Sequence, residues 1–266
     1  MESYDKITDR PTLSACMIVK NEEKFLPGCL ESIKDVVDEI IIVDTGSTDN
    51  TVEIAKRYTD KVYFHEWQNR FSEARNFALQ FATCEWILQI DADEKLEQED
   101  IPLLRAVLKH KEFNSIFVAI ISEIPEGISK SYFQRIYRRG KAHYEGIVHN
   151  QLICEGDALI TEIRIHHYGY NLSEDKMKAK YKRTESLLKK QLSENPNNIF
   201  AWMNLVRIYK CQKLWESAVE TAEHVLDSNK NIDPTSYQMM MYDLGFSLFM
   251  MEQYEKSEKV CMELIK

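Results

Sequence analysis

The chain has 266 residues, of which 44% are hydrophobic and 29% are charged. This length and composition are typical of a globular protein with one large domain or two smaller ones. The 34 basic and 43 acidic side chains give a formal net charge of −9, which disfavours nonspecific binding to nucleic acid or to anionic membranes.

Two strand–helix units open the chain, and each strand ends in polar residues. Leu13 to Val19 predicts a first strand, which is followed by the polar cluster KNEEK and by a helix with Pro27 in its first turn. Glu39 to Val43 predicts a second strand, which is followed by DTGSTDNT, whose serine, threonine and aspartate side chains suit a helix N-terminus. Strands that alternate with helices predict a parallel sheet.

A third and a fourth strand are predicted next, and the fourth leads into an acidic turn. Lys61 to Glu66 is the third candidate, a helix begins at Ser72, and the apolar run Trp86 to Ile90 precedes Asp91 and Asp93. Ligands of such sheets bind outside the carboxyl ends of the strands. Two neighbouring carboxylates there repel each other unless a divalent cation or basic groups compensate them. The pair therefore indicates a Mg²⁺ or Mn²⁺ site, and a solvated acidic turn is the alternative.

The rest of the chain changes character twice. After a helix predicted at 98–110, a mixed sheet is indicated by four strand-like segments: Ser115–Ile124, Tyr132–Arg139, Tyr144–Ile153 and Leu159–His167. From Ser173 the pattern is helical, and Leu244 lies 39 positions after the equivalent Leu205. Tetratricopeptide repeats have a period of about 34 residues, so we infer about five extra residues around Asp227 to Pro234. Neither the G-x-G-x-x-G fingerprint nor a Walker loop occurs, which argues against a Rossmann dehydrogenase or a P-loop enzyme.

Several ordered blocks of sequence carry a resemblance to a known family. The blocks are SACMIVKNEEKFLPGCLESI, DEIIIVDTGSTDNTVEIAK, FHEW…FSEARNFAL, WILQIDADE, FQRIYRR…YEGIVHN and HHYGY. In them the chain resembles a family 2 glycosyltransferase, and the subgroup with sublancin-type S-glycosyltransferases is the most similar overall. The resemblance implies an α/β GT-A domain with a Rossmann-like mixed sheet over residues 1–170, a connecting helix over 171–195 and all-α tetratricopeptide-like repeats over 196–266.

The resemblance also implies roles for the acids at the strand ends and for an arginine near them. Glu22 and Asp44 match positions that contact the base and ribose of a nucleotide sugar, as carboxylates that accept hydrogen bonds would. Arg75 matches an arginine near the nucleotide. Asp91 and Asp93 match the D-x-D pair, with Asp93 the direct ligand of Mn²⁺ or Mg²⁺ and Asp91 nearer the ribose.

Four further basic residues and one acid are site candidates by the same resemblance. His149 and His167 would complete the metal shell or hold a diphosphate oxygen, and core histidines are the alternative. Arg135 and Arg138 would neutralise the leaving diphosphate, and strand-surface charges are the alternative. Many relatives have His-Glu where this chain has His-Asn at 149–150, so the general base is unresolved, and Glu145 is the nearest substitute.

The implied function is metal-dependent, inverting transfer of a sugar from a nucleotide-sugar donor, with a UDP-sugar favoured. The acceptor is expected to be a protein, peptide or glycan held by the repeats, which could also form an oligomer interface. No stretch approaches the roughly 20 apolar residues of a membrane span, and the polar residues 1–10 lack the centre of a signal peptide. The six cysteines are scattered without a C-x-x-C pair, and we expect a cytoplasmic protein.

Two other classes of protein stay open. A nucleotidyltransferase would share the α/β half and the metal, but it would have a glycine-rich basic loop where Lys20 to Lys24 contains no glycine. A non-catalytic tetratricopeptide adaptor with a degenerate transferase domain is the other alternative. The intact set of matching acidic and basic residues argues against it, whereas the unassigned base argues for it.

Overall fold

The computed structural model of the chain describes residues 10–124, 127–148, 150–169, 174–228 and 232–265. It divides into two compact units, which we call the sheet unit (Met1–Glu145 with Asn150–Asn171) and the helical unit (Gly146–His149 with Leu172–Lys266). The α/β class and the all-α character of the C-terminal segment are confirmed. The domain boundaries expected at 170 and 195 stay predictions.

The described strands of the sheet unit form one large mixed sheet and a separate pair. They are β1 (Leu13–Val19), β2 (Glu39–Asp44), β3 (Val62–Phe64), β4 (Trp86–Gln89), β5 (Glu94–Leu96), β6 (Ser115–Ile124), β7 (Gly127–Arg138), β8 (Ala142–Glu145), β9 (Gln151–Cys154) and β10 (Ala158–His167). The large sheet has the order β3-β2-β1-β4-β7-β6-β10-β5, and β8 pairs with β9. Strands β1 to β4 are parallel, whereas β7 runs antiparallel to both β4 and β6.

Helices cover both faces of this sheet, and the parallel strands β1, β2 and β4 between them are mostly apolar. The helices are α1 (Leu26–Ile33), α2 (Thr51–Ala55), α3 (Phe71–Leu79) and α4 (Ile101–Val107). Along β4, Trp86 and Leu88 pack in a core cluster with residues of α1 and α4. Ile87, between them, packs in a second cluster that contains Ala78 of α3. Successive side chains of the strand thus fill two different cores.

The helical unit consists of consecutive helices that pack against their neighbours. The described helices are α5 (Glu174–Glu194), α6 (Ile199–Cys211), α7 (Trp215–Ser228), α8 (Pro234–Met250) and α9 (Tyr254–Leu264). Asn198 and Asp233 cap α6 and α8, since their side chains accept hydrogen bonds from backbone N–H groups three residues later. The 39-residue recurrence corresponds to the pairs α6–α7 and α8–α9. In the described part of the chain, no helix is long and apolar enough to cross a membrane.

The structure differs from the sequence-based expectation at two places in the sheet unit. The strand expected over 144–153 is split into β8 and β9, and Gly146 between them has a φ of +92°, which favours glycine and breaks an extended run. Strand β5 was not expected, because three residues are too few to show a period. It pairs antiparallel with β10 and brings His167 opposite Glu94.

Candidate active site

Polar residues from several strands meet at one edge of the large sheet. Strands β1, β2 and β4 are parallel, so their carboxyl ends lie at the same edge. Asp44 is the last residue of β2, and Asp91 follows β4 by two residues. Strand β10 is parallel to β6 and ends in His167. The topology therefore brings these positions, predicted from different parts of the sequence, to a common site.

Asp91 is held by three side chains from different elements. Arg75 of α3 donates from Nη2 to Asp91 Oδ1 at 2.8 Å, and Gln89 donates from Nε2 to the same oxygen at 2.9 Å. Arg135 of β7 donates from Nη1 to Oδ2 at 3.3 Å. Burial alone would raise the pKa of Asp91, but the two guanidinium groups outweigh it and hold this pKa below its usual value. Asp91 is thus an ionised carboxylate fixed in an internal network.

Arg135 reaches this network because it lies at a β-bulge. On β6, Ile116 pairs with Ile136 and the next residue, Phe117, pairs with Gln134, which leaves Arg135 without an opposite residue. A bulge of this kind re-aims the side chain of the extra residue. The Arg135 guanidinium donates from Nη2 to Glu94 Oε1 at 2.6 Å, as well as to Asp91.

Glu94 is a member of the site that the sequence analysis did not assign. Its side chain is 1% exposed, and its Oε2 accepts the backbone N–H of Asp91 at 2.8 Å. The backbone N–H of Glu94 in turn donates to the carbonyl of Asp91 at 3.0 Å, so two hydrogen bonds connect Asp91 and Glu94 across the turn. Burial raises the pKa of Glu94. The sequence signal was its position beside the D-x-D pair, but nothing in the pattern showed that this third acid turns inward.

Asp93 points toward His167, and the space beside them is kept open by a glycine. Asp93 Oδ2 lies 3.2 Å from His167 Nε2, and the two side chains are 25% and 17% exposed. A Cβ at Gly169 would clash with Asp93 Oδ2 and lie 2.8 Å from His167 Nε2. The predicted ligand His149 lies outside the described residues.

A carboxylate and an imidazole in such a space fit a small divalent cation. Among the described residues, no group of three or more His, Cys, Asp or Glu side chains could hold a metal alone. Mg²⁺ usually keeps several waters and binds through one or two carboxylates plus phosphate oxygens, so a protein contribution of two ligands is what this chemistry requires. The residues present therefore fit Mn²⁺ or Mg²⁺ bound together with a phosphorylated ligand.

The two acids expected at the nucleoside lie at or just beyond the carboxyl ends of the adjacent strands β1 and β2. Asp44 is buried, and its carboxylate accepts the backbone N–H groups of Gly46 at 3.0 Å and Ser47 at 3.1 Å. A carboxylate has about four acceptor positions, so these bonds leave capacity for a ligand. Glu22 is half-buried, and its backbone N–H donates to Thr51 Oγ1 at 2.7 Å. Their contact with base or ribose stays a prediction.

The structure does not bring Arg138 to this edge. Arg138 lies opposite Trp86 at the beginning of β4, with its guanidinium 4.3 Å from the centre of that ring. It donates to Glu85 Oε1 at 2.6 Å and to the carbonyls of Phe113 and His110. Trp86 and Asp91 are five residues apart, roughly 16 Å along a strand. Arg138 is therefore not part of the site around Asp91 and Asp93.

Glu145, the acid considered as general base, lies at the end of β8. Its side chain is 65% exposed, and its Oε1 lies 3.0 Å from His143 Nε2. The preceding residue, Tyr144, is buried and its ring lies 5.4 Å from the Arg75 guanidinium. Glu145 is thus one residue from a side chain that contacts the Asp91 network, and its catalytic role stays a prediction.

Comparison with known proteins identifies the family of this chain. Residues 14–161 match the family model of glycosyl transferase family 2. The chain is 36% identical over 204 residues to the SPbeta prophage-derived glycosyltransferase SunS of Bacillus subtilis, a match that covers 73% of this chain and 48% of that protein. It is 35% identical over 201 residues to a TPR repeat-containing protein of Synechococcus elongatus, covering 71% and 50%.

Among solved structures, residues 1–349 of TarS from S. aureus in complex with UDP-GlcNAc align over 89% of this chain and 80% of that one, with a TM-score of 0.49 and 13% identity. The chain spans about half the length of the curated relatives named above. The family model matches more than half of the chain, mostly in the sheet unit that carries the site. The chain belongs to glycosyl transferase family 2.

Proposed function

We propose that the chain transfers a sugar from a nucleoside-diphosphate donor, with UDP the favoured nucleotide, to a nucleophilic acceptor, and that Mn²⁺ or Mg²⁺ binds at Asp93. The observation that carries this proposal is the different use of the two D-x-D acids. Asp91 is fixed by Arg75, Arg135 and Gln89, whereas Asp93 is a quarter exposed and faces His167. One acid thus organises the site, and the other is available to a ligand.

Charge balance supports the need for a cation. Within the network, the guanidinium groups of Arg75 and Arg135 are matched by the carboxylates of Asp91 and Glu94 when both are ionised. A diphosphate placed beside Asp93 would add like charges, which repel unless they are compensated. A bound Mn²⁺ or Mg²⁺ would act as a Lewis acid that neutralises the diphosphate leaving group. Asp93 and His167 are the described residues that would hold it.

The remaining steps belong to the side chains of this chain. Asp44 and Glu22 would accept hydrogen bonds from the base and the ribose. Inversion in one displacement requires a group that takes the proton of the acceptor nucleophile. Glu145, whose side chain is 65% exposed at the end of β8, is our candidate for this step.

Replacing Asp93 by Ala tests the metal site. The variant should bind UDP about 10- to 100-fold more weakly in Mn²⁺, because a ligand of the cation is lost. Its melting temperature should stay near that of the wild type, since Asp93 is not part of the Asp91 network. Isothermal titration calorimetry with and without Mn²⁺ measures the effect. Asp60→Ala, which removes an exposed carboxylate before β3, is the matched control. Equal UDP affinity of D93A and D60A in Mn²⁺ would remove the assignment.

The helical unit would supply the acceptor side of the reaction. We propose that it recruits a protein, peptide or glycan acceptor, and that it could also bind a second copy of the chain. A cytoplasmic location stays a prediction. A thermal-shift panel of UDP-, GDP-, dTDP- and CDP-sugars with and without Mn²⁺ separates the transferase from a non-catalytic adaptor. An adaptor with a degenerate domain would respond to none of them.

A further inference from the structure

Two loops at the site are joined to each other by side chains rather than by a backbone ladder. The β1 loop (residues 20–25) follows β1, and the β2 loop (residues 45–50) follows β2. The backbone N–H groups of three consecutive residues, 21–23, all donate to side chains at or beyond the β2 loop. In order, the acceptors are Ser47 Oγ at 2.9 Å, Thr51 Oγ1 at 2.7 Å and Asp49 Oδ2 at 3.2 Å.

Hydrogen bonds also run in the opposite direction. The backbone N–H of Thr48 donates to Asn21 Oδ1 at 2.8 Å. The backbone N–H of Asn50 donates to Glu23 Oε2 at 3.1 Å, and its side-chain amide donates to the same oxygen at 2.8 Å. Asn21 has a φ of +57°, a conformation that asparagine tolerates better than most residues. We call this reciprocal set of bonds the loop clasp.

Thr51 is the centre of the loop clasp. It is fully buried, accepts the N–H of Glu22, and donates its own hydroxyl hydrogen to Asp49 Oδ1. The other oxygen of Asp49 accepts the N–H of Glu23. The Thr51 hydroxyl therefore binds the N–H of Glu22 directly and holds Asp49, which binds the N–H of Glu23. Removing this hydroxyl takes the acceptor from the backbone N–H of Glu22 and one of three donors from Asp49, which keeps the backbone N–H groups of Thr51 and Glu23.

We infer that the loop clasp preorganises the nucleoside pocket and that Thr51 is a positioning residue for donor binding. This inference rests on the proposed function, in which Glu22 and Asp44 contact the nucleoside. Glu22 belongs to the β1 loop, and Asp44 holds Gly46 and Ser47 of the β2 loop through their N–H groups. Unless the two loops are already fixed to each other, binding must order them, and that ordering reduces affinity. The clasp removes most of this cost before the donor arrives.

Thr51→Val is the test, because it removes the hydroxyl while nearly conserving the shape of the side chain. The matched control is Thr59→Val. Thr59 uses its hydroxyl in the same way, accepting the N–H of Lys61 at 3.0 Å and donating to the carbonyl of Ile40 at 2.8 Å, but it precedes β3 rather than following a strand at the site. Both variants lose one hydroxyl that accepts a backbone N–H and donates one hydrogen bond in the sheet unit, although Thr51 is fully buried and Thr59 half-buried. They differ in whether the loop clasp is broken.

The probes are UMP, GMP, CMP and dTMP, titrated without metal so that the cation does not contribute. T51V should bind the nucleotide preferred by the wild type roughly tenfold more weakly, while T59V should bind it as the wild type does. Hydrogen exchange should accelerate at the amides of residues 22 and 23 in T51V and not in T59V. With the intact sugar donor, KM should rise in T51V and kcat should change little, since Thr51 touches no reacting atom.

The outcomes separate this inference from the proposed function. If the wild type binds a nucleotide and T51V binds it equally well, the clasp has no role in donor binding, although the proposed function stands. If the wild type binds none of the four, the proposed function is contradicted and the clasp has no nucleoside to position. Should T51V fail to fold, Glu23→Ala decides, because Glu23 is exposed and its loss removes the bonds from Asn50 alone. Unweakened binding by a folded E23A would then overturn the inference.

Discussion

At Gly169 an added Cβ would clash with Asp93 Oδ2 and lie 2.8 Å from His167 Nε2. The backbone N–H of the preceding residue, Tyr168, donates to the carbonyl of Asp93 at 2.8 Å, so the chain cannot simply move away. A side chain at 169 would have to displace the carboxylate proposed to hold the cation. At the scale of single residues, the proposed site therefore requires glycine at position 169 as well as Asp93.

Gly169→Ala should therefore lower metal-dependent UDP binding while leaving the metal-free affinity for UMP unchanged. Because the displaced group is a proposed ligand, we expect a loss of about tenfold or more in Mn²⁺. Calorimetry of both ligands measures the two affinities. Gly28→Ala is the control, since its Cβ would meet only the flexible end of Lys95. A G169A protein with wild-type UDP affinity in Mn²⁺ would show that the space beside Asp93 has no ligand.

At the scale of elements, a second cluster of bonds fixes the opposite, amino-terminal ends of the strands. Glu39, the first residue of β2, accepts hydrogen bonds from Ser14 of β1, from Lys61 before β3, and from the backbone N–H groups of Thr83 and Cys84 before β4. Burial alone would raise the pKa of Glu39, but these donors outweigh it and lower the pKa to about 2. One carboxylate thus connects four neighbouring strands away from the site.

Glu39→Gln should lower the free energy of unfolding at pH 7 by about 1–3 kcal/mol, because donors that faced a carboxylate now face an amide. The folded pKa lies below the unfolded value of about 4.3, so the carboxylate stabilises the fold above that pH. This contribution disappears as the pH falls toward 2. The difference between wild type and E39Q, measured by urea unfolding at pH 7 and below pH 4, should shrink accordingly. Glu53→Gln, on the exposed surface of α2, is the control. A difference that does not depend on pH would contradict the role given to Glu39.

Local pattern predicts the elements of the sheet better than it predicts the contacts among their side chains. Strands β1, β2 and β4 follow from apolar runs that end in polar residues, and Asp91 and Asp93 follow from their place after β4. Which of two nearby arginines reaches Asp91 does not follow. Arg135 does so because a bulge adds a residue opposite β6, whereas Arg138 packs on Trp86. A change of register is a property of two paired strands, and the sequence of one strand does not contain it.

Glu94 shows the same limit from another direction. It adjoins the D-x-D pair in the sequence and was not assigned to the site, yet its side chain is 1% exposed and contacts Arg135. The three-residue strand β5 turns it inward through pairing with β10, whose sequence begins more than sixty residues later. Its partner Arg135 is 41 residues away in sequence. Such a buried ion pair depends on tertiary contacts, so local hydrophobic periodicity does not reveal it.

At the scale of the whole molecule, the helical unit carries several large apolar side chains that are exposed. Met239, Tyr242 and Phe249 recur at helical spacing along α8 and are exposed, with Tyr242 at 62%. Beside them, a groove of about 570 Å³ is lined by residues of α6 and α8, including Lys210 and Arg207. Contiguous exposed apolar surface commonly marks an interaction site. This is the surface on which we expect acceptor recruitment to depend.

Deleting Pro196 to Lys266 should leave hydrolysis of the sugar donor and Mn²⁺-dependent UDP binding intact, because the proposed donor residues all lie in the sheet unit. The deletion should raise KM for the native acceptor, since the lost contacts are remote from the chemistry.

The cut retains Gln191 of α5, which accepts the N–H groups of Ile147 and Val148. It also removes α6, which packs against α5, so the melting temperature must be measured alongside. Tyr242→Ala in the 266-residue chain is the companion variant, because it removes exposed apolar surface without opening the core. If both proteins keep the wild-type KM for the acceptor, the helical unit does not recruit the acceptor. If the truncated protein loses donor hydrolysis, the helical unit supports the catalytic fold instead.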